Sequence, residues 1–422
     1  LLPRTNLTIY NYCKPTGKRG PRSFLYREYG KAPVLLDHVN PEFRSKIMQQ
    51  RLANMGHFDS EVHLDVKTYG KDDRKARAKY HVLFKPAYTY RNLNFRNNQT
   101  IVDSTIAGSM KESLIVPGKD YNHTALRNER IRLSTMLNNQ GFFFFNPNHL
   151  FFNADTSVGQ RQVDMTLMVK DEISEKAYIQ YTIRDINVLV QSNNPTPASE
   201  INTDSIFSNN CIYKSAEDIY KPKRITKVIS LEPGKLYTHT QHENTIRYLQ
   251  GMNAFRSVEL SFREVDDSTQ QLDAHINLVP LRPVQTGLEL NFSTKSNDFL
   301  GPEVIASAGH TNIFKGGEQL VVQVSGGFEW QKRSKREEYE LGFNSYEIGT
   351  QLKLKFPRFL VPFSIKNQST KYVPTTTALI GFSTLRRVRY FNMNMSQIGF
   401  GYSWRTSPKR QFEIQPVAFN YV

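Results

Sequence analysis

The five-residue pattern Pro-Gly-Lys-x-Tyr occurs twice in the chain, at residues 117–121 and 233–237. Each copy is followed by a polar stretch with helical periodicity and then by a glycine close to a phenylalanine. A weaker copy lies upstream, where Gly-Lys-Ala-Pro at 30–33 precedes a predicted helix over 41–54 and then Gly-His-Phe at 56–58. Repeats at this spacing indicate one small module that is used several times along the chain.

Each module is predicted to run strand, helix, helix, strand, strand. In the second module the pattern places a strand at 88–95, a short helix at 106–115, a long helix at 124–139, and strands at 142–152 and 163–169. The modules are predicted to span 1–85, with an incomplete start, 86–170, and 171–282, with a polar inserted loop at about 191–223.

Residues 283–422 lose the helical signal, and apolar residues there alternate with polar ones. The clearest stretch is 346–356, where Ile348 and Leu352 fall on one face and Lys353 on the other. Alternation over about eleven residues, with aromatic side chains at both ends, has the length of a tilted strand that spans a bilayer. The pattern predicts about seven strands in a transmembrane sheet. The alternative is an ordinary antiparallel sheet that buries one face against a core.

An odd, small number of strands predicts that the barrel is incomplete. An open sheet edge in lipid leaves backbone groups unpaired, at several kcal/mol each. We therefore expect further strands beyond residue 422 or from another chain. The predicted fold class is α+β: tandem β-α-α-β-β modules followed by the first part of an antiparallel transmembrane β-barrel.

Composition excludes some classes of protein. No apolar run approaches the roughly 18 residues that a transmembrane helix requires. The net charge of +16 is spread along the chain, which fits a solvated surface, anionic lipid headgroups or an acidic partner. No motif of a nucleic-acid reader appears, so no nucleic-acid partner is expected. Cys13 and Cys211 lie in different modules, and whether they pair stays open.

The sequence contains no recognisable catalytic pattern. The histidines show no His-Glu-x-x-His spacing, and no Cys-x-x-Cys pair occurs. His239 and His242 lie three residues apart near a predicted helix start, where capping or exposure is expected rather than metal binding. We expect no catalytic residue, no cofactor and no metal, and therefore not an enzyme.

The order of these motifs resembles the polypeptide-transport-associated (POTRA) repeats and the barrel of the BamA/TamA outer-membrane assembly superfamily. Residues 311–318, Thr-Asn-Ile-Phe-Lys-Gly-Gly-Glu, resemble the early hairpin of those barrels. Residues 29–37 and 356–363, together with 399–404 and 415–422, look most like the TamL branch, the TamA-like lipoproteins of Bacteroidetes. The chain departs from the family pattern because it lacks the lumenal Val-Arg-Gly-Phe motif, the lipid-bearing N-terminal cysteine and about half of the barrel strands.

The resemblance implies an outer-membrane assembly or translocation factor that helps to insert β-barrel or secreted proteins through strand pairing. The barrel would lie in the outer membrane and the modules in the periplasm. The first barrel strand, at 286–295, would offer its edge to a client at a lateral seam. The partners implied are outer-membrane lipid, a TamB-like periplasmic protein and nascent outer-membrane proteins. The residues assigned to these sites are Leu288, Leu290 and Phe292 for the client strand and Phe151 and Val163 for the module edge.

Two other classes of function fit the same pattern. One is a passive outer-membrane secretion channel with periplasmic modules, which steady ion conductance would reveal. The other is a soluble scaffold or adhesin, which detergent-free solubility of residues 284–422 would favour. The identity of the client and the choice between protein insertion and lipid transport stay open.

Overall fold

The chain forms two compact units in the computed structural model. The first contains residues 1–134 and 146–173, and the second contains residues 135–145 and 174–422. No described helix combines the length and the hydropathy that crossing a membrane requires. The structure describes all residues except 1–4, 15–19, 71–74, 97, 193–204, 216, 267–268, 295–298, 332–344, 363–371 and 388–390.

The first unit opens with helices and a hairpin. The Asn40 side chain caps α4 by accepting a hydrogen bond from the Phe43 N–H at 3.1 Å, and Pro41 occupies the first turn, where its missing N–H is not needed. These caps explain why the helix predicted over 41–54 is confirmed. The elements are α1 (Thr5–Tyr12), α2 (Pro21–Tyr29), α3 (Leu36–Val39), α4 (Pro41–Asn54), and the antiparallel pair β1 (Glu61–Tyr69) and β2 (Lys75–Leu83).

The next segment has the chain order β-α-α-β-β. Its elements are β3 (Thr89–Phe95), α5 (Ile101–Ser109), α6 (His123–Asn138), β4 (Leu150–Asp155) and β5 (Gln162–Val169), with 3₁₀ turns at Met110–Glu112 and Pro147–His149. Strand β5 is central, parallel to β3 on one side and antiparallel to β4 on the other. The alternate residues Val163, Met165, Leu167 and Val169 of β5 are all buried, as the period-two pattern predicts.

The short helix α5 begins earlier than predicted. The sequence pattern places its start at 106, whereas the helix starts at Ile101. Thr100 and Asp103 form a reciprocal capping box, in which each side chain accepts a hydrogen bond from the other residue's backbone N–H. This cap supplies partners for two N–H groups of the first turn and so fixes the helix start.

The strand predicted over 142–152 is wrong in its first half. Phe142 and Phe145 are fully buried, yet they lie in a turn, and β4 starts only at Leu150. The Asn138 side chain holds this turn by donating hydrogen bonds to the carbonyl oxygens of Phe142 at 2.7 Å and Phe145 at 2.9 Å. A run of aromatic residues has high strand propensity, but here the side-chain amide satisfies the backbone instead of a sheet.

The third module lies in the second unit and is built on a five-stranded sheet. Its elements after a 3₁₀ turn at Glu175–Tyr178 are β6 (Thr182–Val190), β7 (Ile206–Ser208), β8 (Cys211–Ser215), α7 (Pro222–Thr226), α8 (His239–Gly251), β9 (Phe255–Glu264) and β10 (Gln271–Pro280). The strand order is β7-β8-β6-β10-β9. The core of this module packs side chains of the sheet against those of α7 and α8, including Ile186, Ile225, Leu249 and Ile276.

The segment predicted as an inserted loop, 191–223, contains structure of its own. Its residues 193–204 and 216 lie outside the described residues. Within the rest, β7 pairs antiparallel with β8, and β8 lies parallel to β6. Cys211 and Tyr213 of β8 are fully buried, so the segment adds both strands and core to the module. Strands of three and five residues are too short to show alternation, which is why the pattern indicates a loop.

The last part of the second unit is a seven-stranded antiparallel sheet. Each strand pairs with its neighbours in the sequence, in the order β11 to β17. The strands are 11 to 17 residues long. They are β11 (Val284–Thr294), β12 (Phe299–His310), β13 (Gln319–Gln331), β14 (Ser345–Phe356), β15 (Thr375–Arg387), β16 (Phe391–Ser407) and β17 (Arg410–Tyr421).

Candidate functional site at the faces and edge of the large sheet

One face of the seven-stranded sheet is apolar and faces outward. Directly paired residues on neighbouring antiparallel strands point to the same face. The described pairings therefore define rows across the sheet, and in the middle row the apolar side chains are between 37% and 57% exposed. That row consists of Val322, Leu352, Ile380, Ile398 and Phe419 on β13 to β17. A contiguous exposed apolar surface of this kind marks a site of contact with a membrane or with another protein.

The opposite face of the same sheet is polar. The adjacent row on that face pairs Gln323 with Gln351 across β13 and β14, and Gln397 with Asn420 across β16 and β17. Further along β14, Lys353 and Lys355 lie on this face too, because they alternate with Leu352 and Leu354. Val321 and Leu379 pair with Lys353 and are apolar exceptions on this face. The prevailing change of polarity between the faces is that of a strand with one side toward lipid and the other toward water.

Aromatic side chains lie in two bands at the ends of the apolar face. At one end Trp330 contacts Phe328, with ring centroids 5.7 Å apart, and Phe292 at 6.4 Å. At the other end Trp404 contacts Phe412 at 5.5 Å and Phe359 at 5.8 Å. The bands flank the apolar rows as the aromatic girdles of a membrane barrel flank its lipid-facing belt, which is about 25 Å tall.

Strands β11 and β17 are the two edges of this sheet among the described residues, and they differ. Strand β11 pairs with β12 in an unbroken register along its whole length. The pairing of β16 with β17 contains two register shifts, and β17 carries Pro416. Bulges and proline are the features that blunt an edge strand, whereas a long regular edge without proline or lysine invites another strand to pair. β11 is therefore the edge suited to pairing.

The residues predicted for the client strand, Leu288, Leu290 and Phe292, all lie on β11. They point to the apolar face and are 79%, 74% and 68% exposed. They are paired with Ala306, Val304 and Pro302 of β12. The structure thus brings the three side chains together on one strip beside the edge, and the backbone of β11 supplies the hydrogen-bonding groups.

The two residues predicted at the module edge differ in position. Phe151 lies on β4, an edge strand of its three-stranded sheet in the described chain, and is partly exposed. Val163 lies on β5, and its prediction is wrong, because β5 is the central strand and the Val163 side chain is fully buried. Alternation reveals which face of a strand is buried but not its place in the sheet.

The turn between β12 and β13 connects the large sheet to the third module. The Asn312 side chain donates a hydrogen bond to the Ile219 carbonyl oxygen at 2.8 Å and accepts one from the Gly317 N–H at 2.9 Å. The backbone N–H of Lys221 donates to the Lys315 carbonyl oxygen at 2.8 Å. These contacts fix the module against the end of the sheet at which β11 begins.

A buried ion pair joins this turn to the connection between β14 and β15. Glu318 is 2% exposed, and its carboxylate lies 2.7 Å from the Arg358 guanidinium. It also accepts a hydrogen bond from the Gly316 N–H at 2.8 Å. The motif at 311–318 does not by itself predict a role for Asn312 or Glu318. The only local signal was the presence of two polar residues in a glycine-containing turn. Their partners, Ile219 and Arg358, lie far away in the chain.

The histidines and cysteines noted in the sequence show no catalytic or metal-binding arrangement among the described residues. The His242 ring nitrogen Nδ1 lies 2.9 Å from the Tyr237 hydroxyl, and burial lowers the pKa of His242. His239 lies 3.3 Å from Glu243. Both cysteines are free thiols. In the part of the chain that the structure describes, no group of three His, Cys, Asp or Glu side chains is placed to hold a metal ion.

Comparison with known proteins gives distant structural similarities only. No protein-family model and no curated protein matches the sequence. The POTRA3–5 fragment of BamA from Haemophilus influenzae is similar over 60% of this chain and 83% of the fragment, with 13% identity and a TM-score of 0.34. BamA from Haemophilus ducreyi lacking POTRA domains 1–3 is similar over 76% of this chain and 60% of that protein, with 12% identity and a TM-score of 0.36. CdiB from Acinetobacter baumannii gives 12% identity, coverage of 91% and 70%, and a TM-score of 0.29. TM-scores below 0.5 carry no conclusion about function.

Proposed function

We propose that this chain is part of an outer-membrane assembly factor that guides other β-strands into the membrane by pairing with them. The observation that carries the proposal is the regular edge of β11 (Val284–Thr294), next to a sheet face whose apolar side chains are exposed along every strand. The sheet lies in the membrane, and β11 is the edge at which a client strand adds.

The chemistry is non-covalent. A strand entering lipid carries N–H and C=O groups that cost several kcal/mol each when unpaired. Pairing with β11 satisfies these groups before the client leaves water, and so lowers the barrier to insertion. The exposed strip of Leu288, Leu290 and Phe292 places the growing edge beside lipid instead of beside the polar face. The mode of recognition is β-augmentation, in which main-chain hydrogen bonds supply the affinity and the client sequence matters little.

The finer assignment follows the resemblance to TamA-like proteins of the TamL branch. In that assignment the β-α-α-β-β modules are POTRA modules in the periplasm, and a TamB-like protein is their partner. The exposed edge strand β4, which carries Phe151, is the surface where that partner adds a strand. The clients are nascent outer-membrane proteins.

The test of the proposed edge is disulfide crosslinking in membranes. Leu288→Cys and Phe292→Cys are compared with Leu352→Cys, which lies on the same apolar face but on the interior strand β14. A client strand with a single cysteine is expected to crosslink to the two β11 variants and not to the β14 control. Equal crosslinking at all three positions, or crosslinks only to the chain's own strands, contradicts strand addition at β11.

The polar face of the sheet favours a second candidate, a passive secretion channel. Gln323, Gln351 and Lys353 lie on the face that a lumen would present to water. A channel conducts ions steadily in planar bilayers and does not accelerate client folding. An assembly factor increases the rate of client insertion into liposomes, and the Leu288→Cys crosslink to a client abolishes that increase.

A further inference from the structure

A cavity of about 750 Å³ lies between the third module and the end of the seven-stranded sheet, within the second unit. This volume is within the range of small-molecule sites in proteins. One wall comes from α7, the following turn and α8, and the other from the connection after β14. The cavity opens at the end of the sheet that carries the aromatic band of Trp404, because Phe359 both lines it and contacts Trp404.

The module wall is rigid and cationic. Arg224 and Lys227 line the cavity and are exposed. The intervening Ile225 is fully buried in the module core, which anchors α7. The turn that follows is tied to α8, since the Ser230 N–H donates a hydrogen bond to the Thr245 hydroxyl at 3.0 Å. The two cations are thus carried on a fixed backbone.

The sheet wall is apolar with one cation, and it is equally fixed. The Thr376 hydroxyl donates to the Arg358 carbonyl oxygen at 2.7 Å and accepts from the Leu360 N–H at 3.0 Å. The Tyr402 hydroxyl donates to the Leu360 carbonyl oxygen at 2.8 Å. The Arg358 guanidinium is held by Glu318. Residues 358–360 of the connection are therefore fixed against β15 and β16, and Phe359 and Leu360 line the cavity.

The lining combines two chemistries. Among the described lining residues, Arg224, Lys227 and Arg358 are cationic and none is acidic. Most of the remainder are apolar, including Val228, Met252, Phe359, Leu360 and Val361. The cations favour a ligand that carries a phosphate group. The apolar walls disfavour free phosphate, because a strongly hydrated ion loses water there without compensation. The combination matches a molecule with an anionic head and hydrocarbon chains.

We propose that this cavity is a binding site for an anionic phospholipid. Its phosphate lies between Arg224 and Lys227, and the first carbons of its chains lie along Phe359 and Leu360. The inference rests on the membrane placement in the proposed function, which sets the cavity at the boundary between lipid and water. A lipid bound there bridges the module and the sheet and so stabilises their mutual orientation beside the start of β11.

The test is native mass spectrometry of the full-length protein released from detergent with equal amounts of phosphatidylglycerol and phosphatidylcholine. The variant Arg224→Gln/Lys227→Gln is compared with Lys223→Gln, a cation exposed on the same helix that does not line the cavity. Each cation near a lipid surface contributes about fivefold to binding. We expect phosphatidylglycerol to bind preferentially, the double variant to lose about 25-fold in affinity, and Lys223→Gln to stay within about twofold of the parent.

Three results would overturn the inference. The first is equal retention of the two lipids by the parent protein. The second is an equal loss of affinity in the Lys223→Gln control, which indicates diffuse attraction by a basic surface. The third is displacement of the lipid by an acidic peptide at equal concentration, which assigns the cavity to a protein segment. Crosslinking of the Phe292→Cys variant to a client, measured on the same samples, shows independently whether the edge function stands.

Discussion

A charge placed on each face of β14 gives the sharpest test of how the sheet is oriented. Leu352 and Gln351 are neighbours in sequence but lie on opposite faces, the first between Val322 and Ile380 and the second beside Gln323. Leu352 is also near the middle of the strand, away from both aromatic bands. An arginine on the lipid face at mid-depth costs about 2–4 kcal/mol, whereas an arginine on the lumen face costs about 0.5 kcal/mol or less.

The assay is equilibrium unfolding in urea of the full-length protein in liposomes, followed by the shift of the folded band on an unheated gel. With a urea slope of about 2 kcal/mol per molar, Leu352→Arg should lower the midpoint by about 1–2 M, and Gln351→Arg should move it by about 0.25 M or less. Equal losses in the two variants, or a larger loss for Gln351→Arg, would refute the assignment of the apolar face to lipid.

Three further predictions concern groups within the two units. Glu318→Gln leaves the Arg358 cation without its buried partner and should destabilise the second unit by about 3 kcal/mol, measured by chemical denaturation; a loss below about 0.5 kcal/mol contradicts the role given to this ion pair. Burial raises the pKa of Glu129, but hydrogen bonds from a neighbouring arginine and a backbone N–H outweigh it, so the pKa lies below its ordinary value. The stability from Glu129 is therefore full above about pH 5 and lost as the pH falls through the lowered folded pKa. Glu129→Gln should reduce the fall of the melting temperature between pH 5 and pH 3. An unchanged dependence of the melting temperature on pH contradicts this role of Glu129. Burial raises the pKa of Cys211 to about 11, so a maleimide at pH 7.5 should label Cys13 rapidly and Cys211 only after unfolding; equal labelling in the native protein contradicts the burial of β8.

Local patterns predicted much of the fold because they record local physics. The alternation over 346–356 gave both faces of β14, since successive side chains on a strand point to opposite sides. The helix predicted over 41–54 is α4, and its start is set locally, since Asn40 caps the helix and Pro41 occupies its first turn. The exposed strip of Leu288, Leu290 and Phe292 followed from the same two-residue period.

The remaining features depend on contacts between distant parts of the chain. The alternation around Val163 predicts a strand but not its position in the sheet. Strand β5 is central only because it pairs with β3 on one side and β4 on the other. The turn after Gly141 depends on the Asn138 amide, which competes with strand propensity. The contact of Glu318 with Arg358 joins two separate turns, and the cavity lies between the third module and the large sheet, both in the second unit. No period or motif in a single sequence records such pairs.

The central claim, that the seven-stranded sheet lies in a membrane with the preceding modules in water, is tested most directly by protease protection. The full-length protein is reconstituted in liposomes with the modules outward and digested, and the protected fragments are mapped. The account predicts that residues before Val284 are digested and that β11 to β17 survive, with a folded band that shifts on heating. Complete digestion of β11 to β17, without a heat-dependent shift, would contradict the membrane sheet and with it the proposed assembly function.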